Sequence, residues 1–302
     1  MRCLYCRPVS TLPLRYGTSE ACLSPTEIQQ LVETLVAVGL RKVRVTGGEP
    51  TARADLLDIV RRLASVRGLD DLAMTTNGLT LARQARALAV AGLRRVNVSL
   101  DSLDAGRFRR ITGIDALPRV LEGIDAAIAS GLTPLKLNCV VVRGENDHEC
   151  PELLQFAADK QVELRFIELM PMGPLANCWR ERFVSSAETR SRLDPLVARW
   201  SPRDQGSAPT RSFDVLLRDG RSTRVGFISA MSCPFCDRCD RVRIAADGSF
   251  FGCLMDRPTI SLLPALRPFD PEALFERIER ALERKPRQHA QRGHSEMVSI
   301  GG

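Results

Sequence analysis

Residues 42–50, Lys42-Val43-Arg44-Val45-Thr46-Gly47-Gly48-Glu49-Pro50, decide the fold. A short β-branched run stops at paired glycines, an acid and a proline, the pattern of a strand that ends in a loop. Just before it, Ser24-Pro25-Thr26-Glu27 starts a helix, with Ser24 as N-cap and Pro25 in the first turn. Ile28, Leu31, Val32, Leu35 and Val36 give that helix one apolar face, and Gly39 ends it. The alternation then repeats: helices are predicted at 56–65, 81–91, 117–130 and 150–160, and strands at 72–76, 95–100, 135–142 and 162–167. Units of about 25 to 35 residues that alternate in this way need right-handed crossovers and a parallel sheet. Five such strands fit an open sheet or a partial barrel, and in both the ligands gather at the carboxyl ends of the strands. The loops of interest are therefore Thr46-Gly47-Gly48-Glu49, Thr75-Thr76-Asn77-Gly78, Ser99-Leu100-Asp101-Ser102 and residues 168–173.

Beyond residue 173 the periodicity breaks up, and residues 201–212 read as a surface loop or linker. Short strand-like pieces follow at 213–217, 222–228, 241–245 and 250–253, then a helix over 271–284. Residues 285–302 read as a polar, basic tail. A division into residues 1–172 and 173–302 is expected. With 44% hydrophobic and 26% charged residues among 302, the composition is that of a soluble globular protein. No apolar run approaches the ~18 residues of a membrane span, and no secretory signal opens the chain. A cytoplasmic location without a membrane partner is the expectation. The formal charge of +7 suits an anionic ligand. Only 5% of residues are aromatic, which argues against a stacking platform for nucleic acid.

Ten cysteines carry the most specific signal. In a chain without a secretory signal, clustered cysteines read as metal ligands before disulfides. Cys3 and Cys6 form a Cys-x-x-Cys, and Cys236, Cys239 and Cys253 form a second group, with Cys233 beside it. Two readings of the second group stand on spacing alone. Four thiolates including Cys233 would make a tetrahedral zinc site, and three thiolates with an open position would suit an iron–sulfur cluster. Cys22, Cys139, Cys150 and Cys178 read as ordinary small, buried residues.

Charged residues inside the strands are the other unusual feature, because such strands are normally covered on both faces. Lys42 and Arg44 share one strand face, Lys136 lies in Leu-Lys-Leu-Asn, and Arg165 opens Arg-Phe-Ile-Glu. Arg241 and Arg243, two apart, are expected on one face of a later strand. Together these cations indicate a wet cavity. Glu49 and Glu168, at strand ends, fit either acid–base work or hydrogen bonding to loop backbone. His148, His289 and His294 form no cluster and receive no role. Cys178 and Trp179 have no reading from sequence.

Cys3-Leu4-Tyr5-Cys6, the Gly47-Gly48-Glu49-Pro50 loop, Asn97-Val98-Ser99-Leu100-Asp101 and the Cys236, Cys239, Cys253 set together resemble the radical S-adenosylmethionine enzymes. Within that superfamily the chain is similar to the GTP 3′,8-cyclases, which open molybdenum cofactor biosynthesis. Arg165-Phe166-Ile167-Glu168, Cys239-Asp240-Arg241-Val242-Arg243 and Ile300-Gly301-Gly302 match that family too. The resemblance covers essentially the whole chain. It implies an α/β fold: a partial, TIM-like (βα) barrel lacking its first strand, followed by a C-terminal α+β domain that carries an auxiliary cluster. It also implies two [4Fe-4S] clusters. Cys3 and Cys6 would bind the first, Cys236, Cys239 and Cys253 the second, and Cys233 would be a bystander. Tyr5, Gly48, Ser99 and Met170 would contact S-adenosylmethionine. Lys42, Arg44, Thr75, Lys136, Arg165, Arg241 and Arg243 would contact GTP, with guanidinium groups on the phosphates. The terminal glycine pair would enter the active site.

The family's first cluster uses Cys-x-x-x-Cys-x-x-Cys, and its first cysteine would fall two residues before Met1. Two alternatives account for this, a start placed at an internal methionine and a truncated protein, and the first is expected. The resemblance further implies a homodimer, and a downstream partner in cyclic pyranopterin monophosphate synthase. Two rivals stand beside this reading: a radical enzyme that modifies peptides with an auxiliary cluster, and an inactive zinc or iron–sulfur scaffold.

Overall fold

A computed structural model describes residues 1–6, 22–204, 206 and 208–288. Its centre is an eight-stranded sheet in the order β1-β2-β3-β4-β5-β8-β7-β6. The strands are β1 (Lys42–Val45), β2 (Asp71–Thr76), β3 (Arg95–Ser99), β4 (Lys136–Val141), β5 (Glu163–Glu168), β6 (Val197–Pro202), β7 (Arg211–Leu217) and β8 (Ser222–Ile228). The first five run parallel, as the alternation predicts, and β8 joins β5 in the same direction. β7 and β6 continue antiparallel. The sheet therefore runs across the expected boundary at residue 172. A second, three-stranded sheet is built from β9 (Arg243–Ile244), β10 (Ser249–Phe251) and β11 (Ile260–Ser261).

Helix α1 (Pro25–Ala37) leads into β1, and α2 (Leu56–Ser65), α3 (Leu81–Val90), α4 (Ala105–Thr112), α5 (Leu117–Ala129) and α6 (Cys150–Asp159) make the crossovers. α7 (Trp179–Arg182), α8 (Ser186–Leu193), α9 (Leu263–Leu266) and α10 (Pro271–Glu283) follow. Ser24 caps α1 in a full capping box with Glu27. The sequence reading missed α4 and α8. Each starts at a local cap: Asp104 accepts from the Arg107 N–H (2.8 Å), and Ser185 from the Glu188 N–H (3.1 Å). α4 has few apolar positions, and α8 is mostly polar, so hydrophobic periodicity alone did not reveal them. Residues 201–212 are likewise less loop than expected, because β6 extends to Pro202 and β7 begins at Arg211.

The parallel strands have two unlike faces. Leu72, Met74, Val96, Val98, Leu137, Cys139, Leu164, Phe166, Val225 and Phe227 are buried in the main apolar core. Fully burying one such side chain contributes about 1.5–3 kcal/mol. The opposite face carries Lys42 and Arg44, then Asp71 and Thr75, Arg95, Asn97 and Ser99, Lys136 and Asn138, and Glu163 and Arg165; neighbouring strands align them in rows. A polar inner face on a parallel sheet is a cavity wall rather than a packing surface. That is the partial-barrel arrangement rather than a sheet with helices on both sides.

Glu168 ends β5 and binds the later part of the chain to it. Its buried carboxylate accepts from the backbone N–H groups of Ser186 (2.8 Å), Met231 (2.9 Å) and Ser232 (2.8 Å), and from the Ser232 hydroxyl. Of the two roles open to Glu168, its contacts are those of loop bracing. Glu168→Ala should lower the unfolding free energy by about 3 kcal/mol, because it strands several buried donors. Val90→Ala, at an exposed position, should change it by less than about 0.5 kcal/mol. Urea denaturation followed by circular dichroism measures both.

Candidate functional site

The Cys3–Cys6 turn lies at the carboxyl end of the parallel strands. Its backbone is pinned to the end of α4 by the Arg2 N–H on the Thr112 carbonyl (2.7 Å) and the Leu4 N–H on the Ile111 carbonyl (2.9 Å). Tyr5 is buried, and its hydroxyl donates to Asp101 Oδ2 (2.7 Å). The other Asp101 oxygen accepts from the Val140 N–H (2.9 Å). Burial raises the Asp101 carboxyl to about 6, against the pull of those two donors. Burial, then the Asp101 charge, pushes the Cys3 thiol up to about 12. A Cβ on Gly173 would lie 2.4 Å from the Tyr5 carbonyl oxygen, so only glycine lets the chain after β5 close over this turn.

Around the turn stand the loops expected to meet a ligand. Gly47 takes a φ of 141°, and a Cβ there would point into open space. Gly48 beside it is exposed, and Ser99 is half-buried at the end of β3. Glu49 is spent on shaping the loop: it accepts from the Thr51 N–H (3.1 Å), the Thr51 and Thr76 hydroxyls (2.6 and 2.7 Å) and the Asn77 N–H (2.7 Å). Met170 and Cys253 both pack against the apolar cluster of Met172, Phe251 and Met255. The residue 170–173 segment thus touches both cysteine sites, one through Gly173 and the other through Met170 and Met172.

The cations converge from both parts of the chain. Arg44 is reachable by solvent yet enclosed by protein. That enclosure, followed by the charges of Arg165, Arg95, Arg241 and Arg243, lowers its guanidinium to about 10. Burial and then Arg241 lower Arg243 to about 10 as well. Lys136 is pushed down to about 8 by burial and then by Arg165, against the pull of Glu163. Glu163 is the counter-charge in the wall, bonded to Lys136 (3.1 Å), Arg165 (2.6 Å) and Arg224 (3.5 Å), with its side chain 3% exposed. Burial works to raise its carboxyl, but Arg165 and Lys136 outweigh it and hold it below the ordinary value. Arg95 pairs with Asp71. Thr75 accepts from Asn97 Nδ2 (3.3 Å), while Oδ1 of Asn97 and of Asn138 have no protein partner. Lys42 is exposed at the start of β1 and adds to the field on Asp71.

Arg95, Glu163 and Asp71 were missed from sequence, although Arg95 carries the same signal as Lys136, a charge on an interior strand. One expectation is corrected. Arg241 and Arg243 do not share a strand face, since β9 covers only Arg243–Ile244. Arg241 lies in the preceding loop, where its carbonyl accepts from Lys285 Nζ (2.9 Å) instead of a strand partner. Its guanidinium sits 4.9 Å from the Phe235 ring centre.

Cys236, Cys239 and Cys253 are half-buried and stand in one another's field. Among the described residues no three His, Cys, Asp or Glu side chains converge on a single metal ion. Cys239 is drawn below the ordinary thiol value: burial opposes this, but the Arg241 N–H and the charges of Arg241 and Lys285 prevail. Three cysteines, one already biased toward thiolate, are a donor set that fits an iron–sulfur cluster. Cys233 turns elsewhere, to Arg211 Nη2 (2.6 Å). At the first site the described chain offers two cysteine sulfurs, which fit two corners of a four-iron cluster once deprotonated on binding. A cavity of about 800 Å³ opens beside Cys236, with Cys178, Trp179 and Met231 on its wall. Its Trp179 is anchored by an Nε1 bond to the Leu169 carbonyl (2.6 Å). The terminal Ile300-Gly301-Gly302, like His289 and His294, lies outside the described residues.

Comparison with known proteins places these features in a family. Residues 1–157 match the Radical SAM superfamily, and residues 162–291 match Molybdenum Cofactor Synthesis C. The GTP 3′,8-cyclase of Listeria monocytogenes serovar 1/2a is 38% identical over 96% of this chain and 85% of its own. That of Pseudomonas putida W619 is 41% identical over 95% of this chain and 86% of its own. Among solved structures, coproporphyrinogen III oxidase from Escherichia coli aligns with a TM-score of 0.48 at 12% identity, over 65% of this chain and 48% of its own. With both family matches in sequence order, and relatives at this identity along nearly its whole length, the chain belongs to the GTP 3′,8-cyclase family of radical S-adenosylmethionine enzymes.

Proposed function

We propose that this chain converts GTP to (8S)-3′,8-cyclo-7,8-dihydroguanosine 5′-triphosphate, the first step of molybdenum cofactor biosynthesis. The observation that carries the reading is the convergence of Arg95 and Arg165 from the parallel strands with Arg241 and Arg243 from the C-terminal part around Arg44. Positive charge at this density in an enclosed cavity suits a triphosphate, and guanidinium forks suit its geometry. When bound, a reduced [4Fe-4S] cluster and S-adenosylmethionine supply one-electron cleavage of the sulfonium and a radical able to take the ribose 3′ hydrogen. Cys3 and Cys6 would hold that cluster.

The protein's own part is orientation and exclusion of water. Tyr5, Gly48, Ser99 and Met170 form the S-adenosylmethionine side of the cavity. Lys42, Arg44, Thr75, Lys136, Arg165, Arg241 and Arg243 form the GTP side. Arg95 adds its charge to the same wall, paired with Asp71, and Glu163 keeps Lys136 and Arg165 aimed across it. Cys236, Cys239 and Cys253 would hold a second cluster next to the guanine. Residues 1–172 and 173–302 work as the two parts of one cavity. A cytoplasmic location, a homodimer and a downstream cyclic pyranopterin monophosphate synthase complete the proposal. Among the described residues no helix is long and apolar enough to cross a membrane.

Replacing Arg44, Arg165 or Lys136 by alanine should weaken GTP binding by about 1–3 kcal/mol, the value of a charge-assisted contact. S-adenosylmethionine affinity, read by calorimetry on the same samples, should stay within about twofold. Equal losses for both ligands would contradict the assignment.

Lys136 also predicts a pH dependence. Its ammonium, held near 8 in the free protein, is charged below that pH, and a bound phosphate favours the charged form. GTP affinity should be full below pH 8 and fall by up to about tenfold per unit as the pH rises through it. Lys136→Arg stays charged and should flatten the profile over about pH 7.5–9.5, the range in which a lysine lowered to about 8 loses its charge. A native profile already flat over that window would remove Lys136 from the phosphate site.

For the second cluster, Cys236→Ala, Cys239→Ala and Cys253→Ala should each lose about four irons from reconstituted protein, and Cys233→Ala none. Iron and sulfide analysis decides this.

A further inference from the structure

Lys285 stands two residues beyond α10, where its N–H closes the last turn on the Leu282 carbonyl (3.0 Å). Its stem lies against the backbone immediately before Cys253. A Cβ on Gly252 would fall 3.2 Å from Lys285 Cα, 3.3 Å from its Cβ and 3.4 Å from its Cγ, so glycine is what lets the two segments meet. The half-buried ammonium then reaches the other cysteine loop. It donates to the Cys239 carbonyl (2.6 Å) and the Arg241 carbonyl (2.9 Å), and stands 3.8 Å from Cys239 Sγ. An ammonium has three donors, and all three directions are engaged within this one loop. Neither carbonyl belongs to a ladder, since the β9–β10 pairing starts at Arg243.

One side chain therefore joins the chain at Cys253, the chain at Cys239 and the backbone of Arg241. We propose that Lys285 is a positioning residue for the second cysteine site: it fixes the Cys239 and Cys253 loops and Arg241 relative to one another, and sets a positive charge beside the Cys239 sulfur. The proposal rests on Cys236, Cys239 and Cys253 being cluster ligands. Reduction adds negative charge to a cluster, so a neighbouring cation stabilises the reduced form and raises the potential. The same contact couples the end of α10 to the substrate cation Arg241.

The test uses reconstituted full-length protein and its Lys285→Met and Lys285→Arg variants. Methionine keeps an apolar stem and removes the charge and the donors; arginine keeps both. In Lys285→Met the second cluster should titrate at a more negative potential by electron paramagnetic resonance. It should also lose iron to a chelator several-fold faster, and GTP affinity should fall several-fold with S-adenosylmethionine affinity unchanged. Lys285→Arg should recover the potential and the iron retention. Native potential and native iron loss in Lys285→Met would overturn the proposal. If Lys285→Met lost the cluster entirely, unchanged circular dichroism and S-adenosylmethionine affinity would place the defect in the ligand loops and support it. Loss of both would assign Lys285 to general folding and overturn it. A native protein that binds no second cluster would instead refute the ligand assignment on which the proposal stands.

Discussion

Glu163 is the constraint on which the cavity depends. A parallel sheet buries its strands, and a lysine or arginine on such a strand is costly to desolvate without a counter-charge. Here Lys136, Arg165 and Arg224 meet one buried carboxylate on β5, and Arg95 meets Asp71 on the neighbouring strand. These two acids neutralise part of the wall. The excess is left on Arg44, whose guanidinium is depressed by surrounding protein and by four other arginines. A site so arranged is electrostatically unsatisfied alone and is relieved by a polyanion. The polarity of this strand face and the excess positive charge on its wall thus have a single origin.

The cavity is not the property of either part of the chain. β8 joins the edge of the parallel sheet at β5, and Glu168 at the end of β5 holds the chain at Met231 and Ser232. These residues lead directly into the Cys236 loop. The segment between, from Met170 to Gly173, meets Tyr5 on one side and on the other joins the apolar cluster against which Cys253 packs. Arg241 and Arg243 reach the wall only because this connection places them there. Neither Glu49 nor Glu168 is available as an acid or base in this arrangement. Both carboxylates accept several loop hydrogen bonds, so their work is to hold these loops in shape.

Much of this was legible in the sequence. Alternating strands and helices specify a parallel sheet because the side-chain periods of 2 and 3.6 differ and a crossover must return on one side. Arg44 within Val-Arg-Val and Lys136 within Leu-Lys-Leu mark a wet strand face, because local alternation puts each on the face opposite its apolar neighbours. The cysteine spacing marked two loops as candidate metal sites, and their order beside the glycine and arginine motifs pointed to the family. Helices α4 and α8 escaped because their stability comes from caps and tertiary packing rather than from an apolar stripe.

What the sequence by itself determined is therefore the set of local periods and spacings: which face of each strand is polar, where strands end, and which cysteines travel together. Tertiary structure alone decided the partners. Glu163 looks like an ordinary strand-end charge, and Arg95 like a lone charge on an interior strand, until register places Glu163 opposite Lys136 and Arg95 beside Ala73. Arg241 lies outside its expected strand, with its carbonyl bonded to Lys285, 44 residues away in the chain. Electrostatic and hydrogen-bonding energy depends on distance in space, which loop closure sets and sequence separation does not encode.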